Sequence, residues 1–184
     1  MRVIAGRFGG RRLKGPTHAG LRPTADRVRE SLFNIVGGRI AGARVLDLFA
    51  GTGSLGIEAL SRGAMRAVFI ERDRRAVALL QANLAALRLN PGEANIIAAT
   101  ASEGIRRSAG GEPFDLVLMD PPYDAGVIDA TLAALAREGL VATDGLVVVE
   151  HRASDFVKAP PILAEIDRRV YGDTALTFFS YPGL

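Results

Sequence analysis

From residue 44 onward, short apolar runs rich in β-branched residues alternate with longer amphipathic stretches, and few architectures accept that alternation. The runs are Arg44-Val-Leu-Asp-Leu48, Ala67-Val-Phe-Ile-Glu71, Ala94-Asn-Ile-Ile-Ala98, Phe114-Asp-Leu-Val-Leu-Met119 and Gly145-Leu-Val-Val-Val-Glu150. Runs this short and continuous suit strands buried on both faces of a parallel sheet. Between them the spacing is helical. From Asp73 to about Leu87, the residues Val77, Leu80, Leu84 and Leu87 fall three or four apart, Asp73 suits the N-cap, and Asn90-Pro91-Gly92 ends the segment. Strand alternating with helix predicts a doubly wound α/β domain with right-handed crossovers. The two ends of the chain differ. Ile166 to Val170 and Leu176 to Tyr181 alternate around Tyr171-Gly-Asp-Thr174, a hairpin signal, so the sheet is expected to finish with an antiparallel pair. At the front, Val3-Ile-Ala5 and Arg11-Arg-Leu-Lys14 can form a small ribbon. Thr24 then caps a helix to about Val36, with Val28, Leu32, Ile35 and Val36 inward and Arg27 and Arg29 turned away.

Charge is distributed unevenly. Residues 1–44 hold ten Arg or Lys against Asp26 and Glu30, a balance of +8, while the remainder holds thirteen against eighteen acids. Genome-wide codon bias accounts for an excess of Arg over Lys but not for its position. A basic head on a mildly acidic body fits a polyanion-binding segment attached to a catalytic or ligand-binding domain. The absence of cysteine excludes disulfides, thiolate metal sites and a cysteine nucleophile. No apolar run approaches the length of a membrane span, so a cytoplasmic protein is expected. His18 and His151 lie far apart, without metal-ligand spacing to another donor, and are expected at the surface; no metal is expected.

Three motifs carry chemistry. In Val45-Leu-Asp-Leu-Phe-Ala-Gly-Thr-Gly-Ser-Leu-Gly56 a strand enters a glycine-rich turn that opens a helix, so backbone can approach a ligand closely. Asp47 beside that turn would repel a pyrophosphate and suit an ammonium group. Glu71, about twenty residues further on and followed by Arg72 and Asp73, is placed to accept the hydroxyls of a ribose. Asp120-Pro-Pro-Tyr123 follows the fourth strand. Its prolines make a rigid extended turn, and the Asp120 carboxylate and a prolyl carbonyl can accept the two hydrogens of an exocyclic amine. Tyr123 offers a face on which an extruded base can stack, worth ~1–3 kcal/mol.

With these motifs the chain resembles the class I S-adenosylmethionine-dependent methyltransferases. Arg2-Val-Ile-Ala-Gly6, Gly10-Arg-Arg-Leu13, Leu21-Arg-Pro-Thr-Ala-Asp-Arg-Val-Arg-Glu-Ser-Leu-Phe-Asn34 and Tyr171-Gly-Asp-Thr-Ala-Leu-Thr-Phe178 resemble the bacterial RsmD family, which methylates the N2 of one guanine in 16S ribosomal RNA. The resemblance implies a Rossmann-like fold with a seven-stranded, mostly parallel sheet and an antiparallel C-terminal hairpin. Residues 1–36 would be a basic RNA-binding extension and 37–184 the catalytic domain. It implies that Arg22, Pro23 and Thr24 line the methionine end of S-adenosylmethionine, and that Asp47, Phe49, Gly51 and Gly53 surround its amino-acid part and sulfonium. Glu71 would take the ribose, with Arg72, Asp73, Thr100 and Ala101 near the adenine. The family usually places Asn or Asp after the third strand, where this chain reads Ala98-Ala-Thr-Ala-Ser102. Asp120, Pro121, Pro122 and Tyr123 would hold the guanine, and Arg7, Arg11, Arg12, Arg27 and Arg29 would meet RNA. The implied partner is 16S RNA in an assembled or assembling small subunit, bound by a monomer. An adenine-N6 DNA methyltransferase shares the Asp-Pro-Pro-Tyr motif and is the alternative. A nicotinamide oxidoreductase and a non-catalytic RNA-binding module are rivals of other classes.

Overall fold

The computed structural model describes residues 1–15, 23–122 and 125–182; at 23–25 and 125 it describes only the backbone. The strands are β1 (Arg44–Leu48), β2 (Arg66–Glu71), β3 (Ala94–Ala98), β4 (Phe114–Met119), β5 (Val141–Arg152), β6 (Ala164–Tyr171) and β7 (Thr174–Ser180). The helices are α1 (Pro23–Val36), α2 (Ser54–Ser61), α3 (Arg74–Leu87), α4 (Ala101–Ser108) and α5 (Ala125–Arg137). All seven strands share one sheet in the order β3-β2-β1-β4-β5-β7-β6. The first five run parallel, and β7 is antiparallel to both neighbours. The hairpin turns through Gly172, whose φ of 60° matches a two-residue turn.

Alternate strand residues divide between two faces. Val45, Phe69, Leu118 and Val148 pack with Phe33, Ile57, Leu60 and Leu80 of α1, α2 and α3. Leu46, Ile70, Val117 and Val149 pack with Ile105, Ile128 and Leu132 of α4 and α5. Each large side chain so buried is worth roughly 1.5–3 kcal/mol, which is why the period-two pattern fixes register.

Several boundaries differ from the sequence expectation. β3 is an edge strand with one partner, so Ile96 and Ile97 are only half-buried rather than covered on both faces. β5 begins at Val141, not Gly145, because the chain bulges through Asp144 at φ 60° and resumes pairing at Leu146. The front ribbon reduces to one bridge, Arg2 to Arg12, around a 3₁₀ turn at Gly6–Phe8. In α1 the helix begins at Pro23, so Thr24 lies inside it rather than capping it. Its buried stripe is Val28, Arg29, Leu32, Phe33 and Val36, whereas Ile35 is 40% exposed. A helical period centred between 28 and 29 puts Arg29 on that stripe. Arg29 is therefore buried, correcting the expectation that it turns outward to meet RNA. Its Nη2 donates to the Arg2 carbonyl at 2.7 Å and to Asp26 Oδ1 at 3.1 Å. His151 is also buried, between the Arg152 carbonyl and Thr177 Oγ1, where a surface position was expected. His18 lies outside the described residues.

The N-terminal segment is held by backbone bonds to side chains of α2 and α3. Buried Glu58 accepts from Ile4 N–H at 2.7 Å and Ala5 N–H at 3.0 Å, and Ser61 Oγ accepts from Phe8 N–H. Buried Asn83 accepts from Lys14 N–H at 2.7 Å and donates to the carbonyls of Lys14 and Thr52, each at 3.0 Å. Val3, Phe8 and Leu13 join the core between these anchors. No helix of the described residues is long and apolar enough to cross a membrane.

Candidate active site

The sheet order reverses beside β1: the chain goes from β1 to β2 on one side and later returns to β4 on the other. A crevice opens at the carboxyl ends of strands at such a switch point. Here it has two lobes, about 770 Å³ and about 550 Å³, which share Phe49, Asp73 and Asp120.

The turn after β1 forms the shared floor. Phe49 adopts a φ of 60°, an uncommon conformation for a bulky residue and one that concentrates at functional sites. Ala50 N–H then donates to the Ile70 carbonyl, and Gly51 N–H to Glu71 Oε2 at 2.8 Å. Two glycines are required by close approach. A Cβ on Gly53, at φ +86°, would lie 2.3 Å from Leu80 Cδ1, and one on Gly56 would lie 2.3 Å from Phe69 Cε1. Asp47, 1% exposed, sits behind the turn and accepts Gly56 N–H at 2.8 Å. Burial pushes its carboxyl up to about 7, with Asp120 and Glu71 adding to the shift and the Gly56 N–H opposing it. Asp47 and Gly53 thus support the turn and do not line the crevice, whereas Phe49 and Gly51 do.

The larger lobe gathers Glu71, Arg72, Asp73, Thr100 and Ala101 around Ile70. Glu71 is fixed by Gly51 N–H on one oxygen and Asp73 N–H, at 2.7 Å, on the other. Asp73 caps α3 by accepting from Arg75 and Ala76 N–H, as its sequence position predicts, and those bonds hold its carboxyl below the usual range. Thr100 caps α4 through Glu103 N–H at 3.3 Å. The hydroxyl makes the cap that an acid or amide would also make at this place.

The smaller lobe is bounded by Asp120, Glu150, Arg29, Asp26 and Met1. Asp120 follows β4 at the mouth, open to water but walled by protein, and this burial pushes its carboxyl up to about 6. Pro121 is buried beneath it and Pro122 lines the larger lobe. Glu150, near the end of β5, is pushed up to about 8, by burial first and then by Asp120. Burial lowers the pKa of Arg29, whose Nε has no partner among the described residues. Arg22 and Tyr123 lie outside the described residues, and of Pro23 and Thr24 only the helical backbone is described. No group of three or more His, Asp or Glu able to hold a metal occurs among the described residues.

Of the arginines expected at RNA, Arg7, Arg11, Arg12 and Arg27 are exposed. Arg7 pairs with Glu93 at 2.6 Å and Arg11 donates to the Ala86 carbonyl at 3.1 Å. Sequence reasoning missed Glu150 and the inward turn of Arg29. The apolar run of β5 ends at Glu150, but no glycine or proline beside it marks it as a site residue.

A 3-2-1-4-5-7-6 sheet with a glycine turn after β1, an acid ending β2 and Asp-Pro-Pro after β4 defines a class I S-adenosylmethionine-dependent methyltransferase. The family model described as "Conserved hypothetical protein 95" matches residues 1–180, and the chain belongs to that family. It is 38% identical over 180 residues to the ribosomal RNA small subunit methyltransferase D of Escherichia coli K12, covering 97% of this chain and 89% of that one. It is 36% identical over 185 residues to the putative rRNA methyltransferase YlbH of Bacillus subtilis, covering all of both. Among solved structures, the putative methyltransferase yhhF of Escherichia coli superposes with a TM-score of 0.89 at 36% identity, over 100% of this chain and 99% of that one.

Proposed function

We propose that this chain transfers a methyl group from S-adenosylmethionine to the exocyclic N2 amine of a guanine in 16S ribosomal RNA. The observation that carries the reading is the opening of the Asp120-Pro121-Pro122 turn into the same crevice as the glycine turn and Glu71. The full-length likeness to a small-subunit ribosomal RNA methyltransferase supports the choice of substrate.

The crevice suits a cationic cofactor. Asp47 is buried, Glu150 half-buried and Asp120 walled in at the open mouth, and all three sit above their ordinary carboxyl range because protein displaces the water around them. A ligand bearing an ammonium and a sulfonium group favours their ionised forms. Glu71 keeps lone pairs free for ribose hydroxyls beyond its two backbone bonds. Phe49, Arg72, Asp73, Thr100 and Ala101 border the space for adenine. Gly51, supported from behind by Gly53 and Asp47, borders the methionine end, to which Arg22, Pro23 and Thr24 would contribute. When bound, S-adenosylmethionine supplies a methyl group on a positively charged sulfur.

Asp120 and the Pro121 carbonyl accept the two amine hydrogens, which leaves the nitrogen lone pair free to face the methyl group. Pro122 holds the turn rigid, and Tyr123 stacks on the base. The amine becomes strongly acidic once alkylated, so Asp120 or water takes its proton and no histidine base is required. Residues 1–36 act as the RNA-binding extension of a catalytic domain, 37–184. Arg7, Arg11, Arg12 and Arg27 meet phosphates, and the buried Arg29 is withdrawn from that set. The enzyme works as a cytoplasmic monomer on an assembled or assembling small subunit.

Transfer of tritiated methyl groups tests the reading. Under-methylated small subunits and naked 16S RNA are offered beside DNA, and the modified nucleotide is identified by mass spectrometry. N2-methylguanine in RNA is expected; preferential labelling of DNA adenine overturns the proposal.

A further inference from the structure

Asp120 and Glu150 form a pair by construction of the sheet. β4 and β5 are parallel and in register at Met119–Val149, so Asp120 and Glu150 are the next residues along neighbouring strands. Such strands lie ~4.8 Å apart. Met119 and Val149 pack on the α4–α5 face, and alternation turns the following residue of each strand toward the α1 face. Both acids accordingly line the smaller lobe, beside Arg29 and Asp26. Asp120 has a use in holding the amine. Glu150 accepts no hydrogen bond and forms no ion pair among the described residues, although it is half-buried.

The Watson–Crick edge of guanine presents two adjacent donors, the N2 amine and N1–H. Adenine instead places an acceptor, N1, beside its N6 amine. Two carboxylates one strand spacing apart, each acceptor-only when ionised, match the donor–donor edge and oppose the donor–acceptor edge. We infer that Glu150 is a specificity-determining residue, whose carboxyl accepts the N1–H of the guanine whose N2 amine is held by Asp120. The inference rests on the guanine-N2 reading and adds to it the group that selects the base. Burial raises the Glu150 carboxyl to about 8, and an N1–H donated to it would favour its ionised, accepting form.

The test replaces the target guanine of a 16S RNA substrate with 2-aminopurine. That base keeps the 2-amino group but carries an acceptor at N1. The quantity read is the ratio of kcat/KM for guanine to that for 2-aminopurine, with thermal unfolding and S-adenosylhomocysteine binding as controls for the fold. For the wild type a ratio of about 10 to 100 is expected, the range set by one good base contact. In Glu150→Gln the side-chain amide can turn to donate to N1 of 2-aminopurine, so the ratio is expected to fall to within about threefold of unity. Glu150→Ala is expected to lower turnover of guanine while also compressing the ratio. A wild-type ratio near one, or a ratio unchanged in both variants, overturns the inference. Failure of the wild type to methylate guanine RNA at all overturns the functional reading instead.

Discussion

Removing the Asp120 carboxylate separates chemistry from cofactor binding. Asp120 touches neither the glycine turn nor Glu71 through any hydrogen bond described above. Asp120→Ala is therefore expected to lower methyl transfer by about 10²- to 10⁴-fold, the scale of a positioned acid–base group. S-adenosylhomocysteine binding, followed by calorimetry, is expected to fall far less than transfer; equal loss of both would give Asp120 a role in cofactor binding or in the fold. The raised carboxyls make a second prediction. A carboxyl with an elevated folded pKa keeps its proton where the unfolded chain has lost it, so its ionisation disfavours the folded state as pH rises. For Asp47, Asp120 and Glu150 that window runs from about 4 to about 8. A cation in the crevice opposes this cost, and S-adenosylmethionine carries one positive charge more than S-adenosylhomocysteine. The affinity ratio of the two, measured at pH 6 and pH 8, is expected to shift toward S-adenosylmethionine at the higher pH. A pH-independent ratio would show that these carboxyls do not sense the sulfonium.

Elements meet the site through a few polar anchors, and Asn83 of α3 is the most connected of them. Its amide ties the Lys14 backbone to the Thr52 carbonyl in the glycine turn. Asn83→Ala removes the partner of three part-buried backbone groups and is expected to cost about 1–2 kcal/mol, readable as a lower urea midpoint with an unchanged slope. Weaker S-adenosylhomocysteine binding is expected alongside, because the turn loses one of its fixings; full stability in the variant would rule out this anchor. The elements themselves were readable where burial alone sets them. β1, β3 and β4 end where their apolar runs end, and α3 begins after its Asp73 cap. Reading failed where tertiary contacts override local pattern. Arg29 was assigned outward because it is charged, although its position falls on the buried stripe and Arg2 and Asp26 satisfy it there. Asp47, Glu71 and Asp120 were found through the glycines and prolines beside them. Glu150 had no such neighbour, and only the sheet register, which no sequence states, sets it beside Asp120.

At the scale of the whole molecule the charge asymmetry becomes a surface property. The N-terminal segment is pinned to α2 and α3 through Glu58, Ser61 and Asn83, so its exposed arginines form part of the same body as the crevice. Phosphate contacts made there would position RNA relative to Asp120 without reading its sequence. Four such contacts, from Arg7, Arg11, Arg12 and Arg27, would release counterions at ~0.7 per single-stranded phosphate and weaken RNA binding roughly 50-fold between 50 and 200 mM salt. Arg12 and Arg27 have no ion-pair partner among the described residues, unlike Arg7 with Glu93. Reversing both, as Arg12→Glu with Arg27→Glu, is expected to weaken RNA binding and to reduce the salt slope by about 1.4. S-adenosylhomocysteine affinity should be unaffected, since neither side chain lines the crevice. An unchanged slope would move the RNA path off this face, and loss of both ligands together would mean that the substitutions had disturbed the packing of the N-terminal segment on α2 and α3.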